Sequence, residues 1–283
     1  MTEHLERPLS CPLGGAASDA EPIPPEYVSY AHMDRLHELA HPRTESAQEL
    51  SFILLSHVKE LLFRMAYVDL GQARSQLRAD RVEQACRALE RMIRTQRILV
   101  TTWEGMNAIA PDEFLAFRDV LGDASGIQSY MYRTLEFAMG NKDPDMVRLA
   151  SAFIDLYPDL RAELGGPSLY DETLRFLARR GFPVPQQLLT RDFEQPYAGH
   201  LAVEDVWLTI YRSPAAYPAE YRIAELLTEV AYQFSHWRAT HLLVVERKLG
   251  RKPGTGGTEG LDWLRTVNDH RFFPELWSMR TRL

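Results

Sequence analysis

A lone imidazole in an apolar helical run, followed by a threonine set among glycines, carries the most chemistry in this sequence. In "HWRATHLLVVERKLGRKPGTGG" (residues 236–257), His241 shares a stripe with Phe234, Trp237, Val245 and Lys248 at three- and four-residue steps, a mostly apolar helix face. A neutral imidazole on such a wall suits the fifth position of a haem iron, its other nitrogen left for a supporting hydrogen bond. The same spacing also fits a histidine simply packed in a core. His236 lies about 140° around the helix from His241, so the two cannot hold one ion. "GTGG" has neither the preceding strand nor the lysine of a phosphate loop. It either ends the helix or forms a lid whose Thr255 hydroxyl meets a ligand's polar head.

Two other stretches hold polar groups among apolar ones. In "FILLSHVKELL", Phe52 and Ser56 share a helix face and His57 is turned about 100° from Ser56, so one of the pair faces a pocket. The bland alternatives are a Ser56 hydroxyl bonded back into its own helix and a His57 ring bonded to a backbone carbonyl. Arg118 follows Phe114 by one turn and precedes Leu121. It is either a bidentate clamp on a carboxylate or a snorkelling side chain paired with Asp119 or Glu113. His4, His32, His37, His41, His200 and His270 fall in loops or helix ends, where solvation is the ordinary outcome.

Helices must position these groups. Apolar residues recur at helical spacing in block after block, and no alternating β-branched run stands between turn signals, so the spacing predicts an all-α fold. Residues 49–77 are apolar nearly all round in their first half, as in a central helix, and 81–109 read as an amphipathic partner turning apolar toward Trp103. "PDEFLAFRDVL" starts on a proline suited to a first helical turn, and "SGIQSYMYRTLEFAMGNK" reads as one further helix. Ser168 to Asp171 resembles a capping box, and 220–250 is the longest helix. Residues 1–25 read as a flexible arm and 26–283 as one helical domain.

Composition narrows the function classes. The 283 residues carry 39 acidic and 32 basic side chains without a basic cluster, which argues against nucleic acid. Cys11 and Cys86 give no disulfide framework and no thiolate cluster, which suits a reducing cytoplasm. The first residues mix charges and prolines, and no apolar run approaches the ~20 residues that span a bilayer, so a soluble, untargeted, cytoplasmic protein is expected.

The ordered series "YVSYAHMD", "ELSFILLSHVKEL", "EFLAFRDVLGDASGIQSYMYRTLEFAMGNK", "PSLYDETLRFLARRG", "WRATHLLVVERKLGRKPGTGG" and "FFPELWSMRT" resembles the tryptophan 2,3-dioxygenase family from Tyr27 to the C-terminus. The resemblance implies a single helical-bundle domain holding haem b, with dioxygen as co-substrate and tryptophan or a substituted tryptophan as substrate. By it, His241 is the proximal iron ligand, Arg118 binds the amino-acid carboxylate, and Thr255 meets the ammonium and carboxylate end. Phe52, Phe114 and Leu121 line the indole, and Trp103 and Gly254 are further cofactor contacts. Tyr27, Tyr30 and Ala31 match a segment that reaches into a neighbouring subunit's site, which implies a homotetramer.

Ser56 stands where the family has its distal histidine, as in indoleamine 2,3-dioxygenase, and His57 takes the next position. Ala31 replaces a leucine near the indole. The activity implied is cleavage of the indole 2,3-bond to an N-formylkynurenine. Insertion of one oxygen into a modified tryptophan such as a β-methyl derivative, or a haem-binding protein without turnover, are the alternatives.

Overall fold

The computed structural model describes residues 24–252 and 260–283. The chain divides into two compact units, one ending at Ala40 and the other His41–Leu283. Among the described residues all regular structure is helical, as the periodicity predicts. The first unit holds α1 (Glu26–Ala31) and α2 (Met33–Glu38), with the chain turned between them at His32, whose φ of 49° is left-handed. Neither short helix buries a residue.

The second unit is framed by three long helices, α3 (Ala47–Arg78), α4 (Val82–Ala108) and a later one. Between α4 and that helix lie α5 (Pro111–Arg118), α6 (Tyr130–Met139), α7 (Pro144–Ala150), α8 (Pro158–Gly165), α9 (Leu169–Arg179), α10 (Gln186–Leu189) and α11 (Leu201–Arg212). The third long helix is α12 (Pro218–Leu249), followed by α13 (Leu261–Asp269) and α14 (Pro274–Ser278). α4 packs on both α3 and α12, and α5 rests on α3 and α12.

Side-chain size explains the hairpin of α3 and α4. Ala66, Leu70, Ala73 and Leu77 recur along α3 and are fully buried, as are Ala85, Leu89 and Met92 on α4. Alanines let the two backbones approach, and each fully buried leucine contributes about 1.5 to 3 kcal/mol. The amphipathic reading of α4 holds, since its apolar side chains are buried and its charged ones, among them Arg91 beside Asp69 of α3 and Arg97 beside Glu229 of α12, keep to the outside.

Caps set the helix ends. Glu113 accepts from the Ala110 N–H at 2.7 Å and opens α5 behind Pro111. The Ser168 capping box is present, with the Asp171 N–H donating to Ser168 Oγ at 3.2 Å and Asp171 Oδ2 accepting from the Ser168 N–H at 2.8 Å. The single helix expected from "SGIQSYMYR" is instead broken. Gly126–Gln128 forms one 3-10 turn, and α6 starts at Tyr130 because Ser129 Oγ accepts from the Tyr132 N–H at 3.1 Å.

α6 is tied to α12 by buried charge. Glu136, with no solvent exposure, pairs with Arg133 and Arg238 and accepts from the Tyr132 hydroxyl at 2.9 Å. The two cations hold its carboxyl below the usual range against the opposing effect of burial.

Candidate functional site

Where α3, α4, α5 and α12 meet, the structure assembles an aromatic wall around His241. The Trp103 indole of α4 stacks on the His241 imidazole of α12, with centroids 4.4 Å apart and planes 8° from parallel. Trp237 stands 5.2 Å from Trp103 and 5.8 Å from His241. Phe52 and Leu55 of α3, Met106 of α4 and Val244 of α12 complete the cluster. Val244, rather than the Val245 of the expected stripe, packs there, because α4 lies on the side of His241 that Trp237 and Val244 share.

His241 is half-buried, and its surroundings set its charge. Burial, and then the nearby Lys59 ammonium, push its pKa down to about 3, so the ring is neutral at physiological pH. A neutral ring is what an iron needs from a ligand.

A second group of rings lies on the other side of Phe52. Phe52 is 5.9 Å from Phe114 and 5.6 Å from Phe117, and these two are 5.2 Å apart. Arg118 ends α5 beside them and is half-buried. Leu121, also half-buried, lies in the 3-10 turn Asp119–Leu121 that continues α5.

This turn is held from the entrance of α3. The buried Glu49 carboxylate accepts from the N–H groups of Arg43 and Thr44 at 2.8 and 2.7 Å and from the Thr44 hydroxyl. Arg43 so placed donates to the Val120 carbonyl at 2.9 Å. The Thr44 hydroxyl, then the Arg43 N–H, hold the Glu49 carboxyl below its ordinary range.

Ser56 lies on the α3 face of Phe52, Lys59 and Phe63, while His57 is turned well away from it at ~100° per residue. Ser56 Oγ donates to the Phe52 carbonyl at 2.9 Å, bonding back into its helix. His57 Nδ1 is buried without a hydrogen-bond partner among the described residues, so the expected carbonyl bond is not made through that atom. Glu113 caps Ala110, which gives that carboxylate a role other than the pairing with Arg118 that the sequence allowed.

Tyr27, Tyr30 and Ala31 belong to the first unit, where the two tyrosines are 70% and 87% exposed. Thr255 and Gly254 lie outside the described residues. Trp237 enters the sequence reading only as part of the apolar stripe of His241, and Lys59, Phe117, Met106 and Val244 escape it because nothing in their spacing separates them from core.

The donor set fits haem. Among the described residues no group of three or more His, Cys, Asp or Glu could hold a metal, and one neutral histidine suits a metal that arrives with its own macrocycle. The Trp103 and Trp237 indole N–H groups are both buried without partners among the described residues, donors left over on the wall that carries His241.

The sequence model of the tryptophan 2,3-dioxygenase family matches residues 15–164 and 165–283. The chain is 40% identical over 257 residues to a tryptophan 2,3-dioxygenase of Polaromonas sp. (strain JS666), covering 91% of this chain and 87% of that protein. It is 40% identical to one of Burkholderia pseudomallei (strain 668), covering 91% and 84%, and 39% identical to one of Bordetella pertussis, covering 91% and 90%. With one imidazole on an aromatic wall and similarity of this extent, the chain belongs to the tryptophan 2,3-dioxygenase family.

Proposed function

We propose that the protein is a haem-dependent oxygenase that oxidises the indole 2,3-bond of L-tryptophan or a substituted tryptophan with dioxygen, giving an N-formylkynurenine. The observation that carries this reading is His241, neutral and half-buried against Trp103 and Trp237, in a chain about 40% identical to tryptophan 2,3-dioxygenases. When bound, the haem supplies the iron that activates dioxygen. His241 holds that iron. Phe52, Phe114 and Leu121 enclose the indole and exclude water, while Arg118 orients the amino acid through its carboxylate. The roles that the resemblance gives Gly254 at the cofactor and Thr255 at the head group lie outside the described residues.

Ser56 offers no proton acceptor comparable to an imidazole, and its hydroxyl is already committed to the Phe52 carbonyl. Ring cleavage does not require the indole N–H proton to leave before the 2,3-bond is attacked, so a serine at this position is compatible with it. The departures at Ser56 and Ala31 leave room for a second reading, in which one oxygen atom is inserted into a modified tryptophan without ring cleavage while an added two-electron donor reduces the other atom to water.

The protein acts as a homo-oligomer, most simply a homotetramer in which Tyr27, Tyr30 and Ala31 serve a neighbouring copy. Leu50, Leu54, Val58, Leu61, Met65 and Val68 support this. They run along one side of α3 and are each 37% to 53% exposed, an apolar stripe that a monomer would leave in water. Among the described residues no helix is long and apolar enough to cross a membrane, and we place the enzyme in the cytoplasm.

Purified protein reconstituted with haem and supplied with tryptophan, its β-methyl analogue, labelled dioxygen and a chemical reductant that keeps the iron ferrous and supplies the electrons of the one-oxygen reaction tests the chemistry. Two label atoms in the product support ring cleavage and one supports the second reading; no oxidised product from either substrate refutes both. His241→Ala is expected to change the Soret band, and an unchanged band removes His241 from the iron.

A further inference from the structure

Lys59 differs from the other buried lysines. Lys142 Nζ donates to the carbonyls of Leu164 and Phe193 at 2.8 and 2.7 Å, and Lys248 Nζ donates to the carbonyls of Ile109 and Asn107. Lys59 is 9% exposed, yet among the described residues nothing accepts a hydrogen bond from its ammonium. What it meets is the face of Trp103, 3.7 Å from the ring centroid. Cation–π attraction offsets part of the desolvation of an ammonium but accepts none of its protons. Burial accordingly pushes its pKa down to about 7.

The indole under this ammonium has an unanswered donor of its own. Trp103 is 5% exposed and its Nε1 is buried with no partner among the described residues. A charged donor and a neutral donor thus converge on one ring with no acceptor between them. A carboxylate has the charge and the two oxygens to satisfy both. Because Trp103 stacks on His241, an anion seated here belongs with whatever His241 holds.

We propose that Lys59 and Trp103 form a carboxylate seat that takes a propionate of the haem. This rests on the haem reading above. It makes Lys59 a cofactor-binding residue and separates its role from that of Arg118, which is assigned to the carboxylate of the amino acid.

Haem-free full-length protein is titrated with hemin and with hemin dimethyl ester, whose propionates carry no charge, while the Soret band is followed. Hemin binding by the unaltered protein tests the haem reading by itself. That protein is expected to prefer hemin to the ester by on the order of tenfold. Lys59→Met and Trp103→Phe each weaken hemin and shrink the preference, and Lys59→Arg restores most of it.

Thermal melting of haem-free Lys59→Met is expected at or above the unaltered protein, since an uncompensated buried charge has been removed. The proposal is overturned if the unaltered protein binds hemin and Lys59→Met keeps both affinity and preference. It is overturned too if Lys59→Met melts lower and loses hemin and ester equally, which marks a packing role. A hemin titration left intact with a weakened tryptophan-induced Soret shift gives the seat to the substrate's carboxylate, and also overturns it.

Discussion

In the proposed function, His241 and Arg118 would work by opposite means. The imidazole is made useful by burial, which removes its proton, whereas a guanidinium keeps its charge and is useful as a clamp. Losing a charged, paired carboxylate contact costs about 1.5 to 3 kcal/mol, so Arg118→Leu is expected to raise the KM for tryptophan by roughly ten- to hundredfold. Steady-state kinetics with an unchanged KM would remove Arg118 from the substrate.

His270, next to the aromatic cluster of Phe272, makes a separate point about pH. Burial, then the Arg238 charge, push its pKa from 6.5 down to about 4. Between those values the unfolded chain binds a proton that the folded chain refuses. Its contribution to stability is therefore whole above about pH 6.5 and lost as pH falls toward 4. The melting temperature of His270→Gln is expected to fall less steeply than that of the unaltered protein over this interval. Parallel curves would show that His270 is not the linked group.

Among the elements, the end of α12 holds the junction between Trp103 and the rings proposed to enclose the indole. The buried Lys248 ammonium donates to the carbonyls of Ile109 and Asn107, at the point where α4 ends and α5 begins. Trp103 precedes that junction and Phe114 follows it, so one lysine sets the angle between the two halves of the site. Lys248→Met keeps the stem and removes the donors. Chemical denaturation is expected to show a loss of about 1.5 to 3 kcal/mol, with a fall in hemin affinity as the α4–α5 angle relaxes. Stability unchanged within error would place the junction's rigidity elsewhere.

Gly105 plays a smaller part on α4, since a Cβ there would lie 2.7 Å from the Leu55 side chain. Its absence lets α3 and α4 close around the aromatic wall.

For the whole molecule, the stripe from Leu50 to Val68 decides what the chain does in company. The buried side of α3 feeds the core, and the stripe on its other side is left about half exposed by the chain's described residues. Leu54→Glu combined with Leu61→Glu places charges in its middle. Light scattering after size exclusion is expected to show a smaller species with unchanged helical circular dichroism. An unaltered assembly would move the oligomer contact to another face.

Periodicity alone determined that the chain is helical, where α3, α4 and α12 run, and that His241 lies on an apolar face, because core-facing residues must repeat with the helix turn. The ordered motifs identified the family and nominated Arg118 and Phe114. The tertiary structure decided which imidazole face meets which indole. It bonded the Ser56 hydroxyl back into its own helix, packed Val244 against Trp103, and broke the expected helix at Ser129 through a cap. It also revealed Lys59 over Trp103, which no one-dimensional pattern distinguishes from a solvated lysine. Helical spacing fixes a residue's direction about its own axis to within tens of degrees; what waits in that direction depends on how neighbouring helices cross.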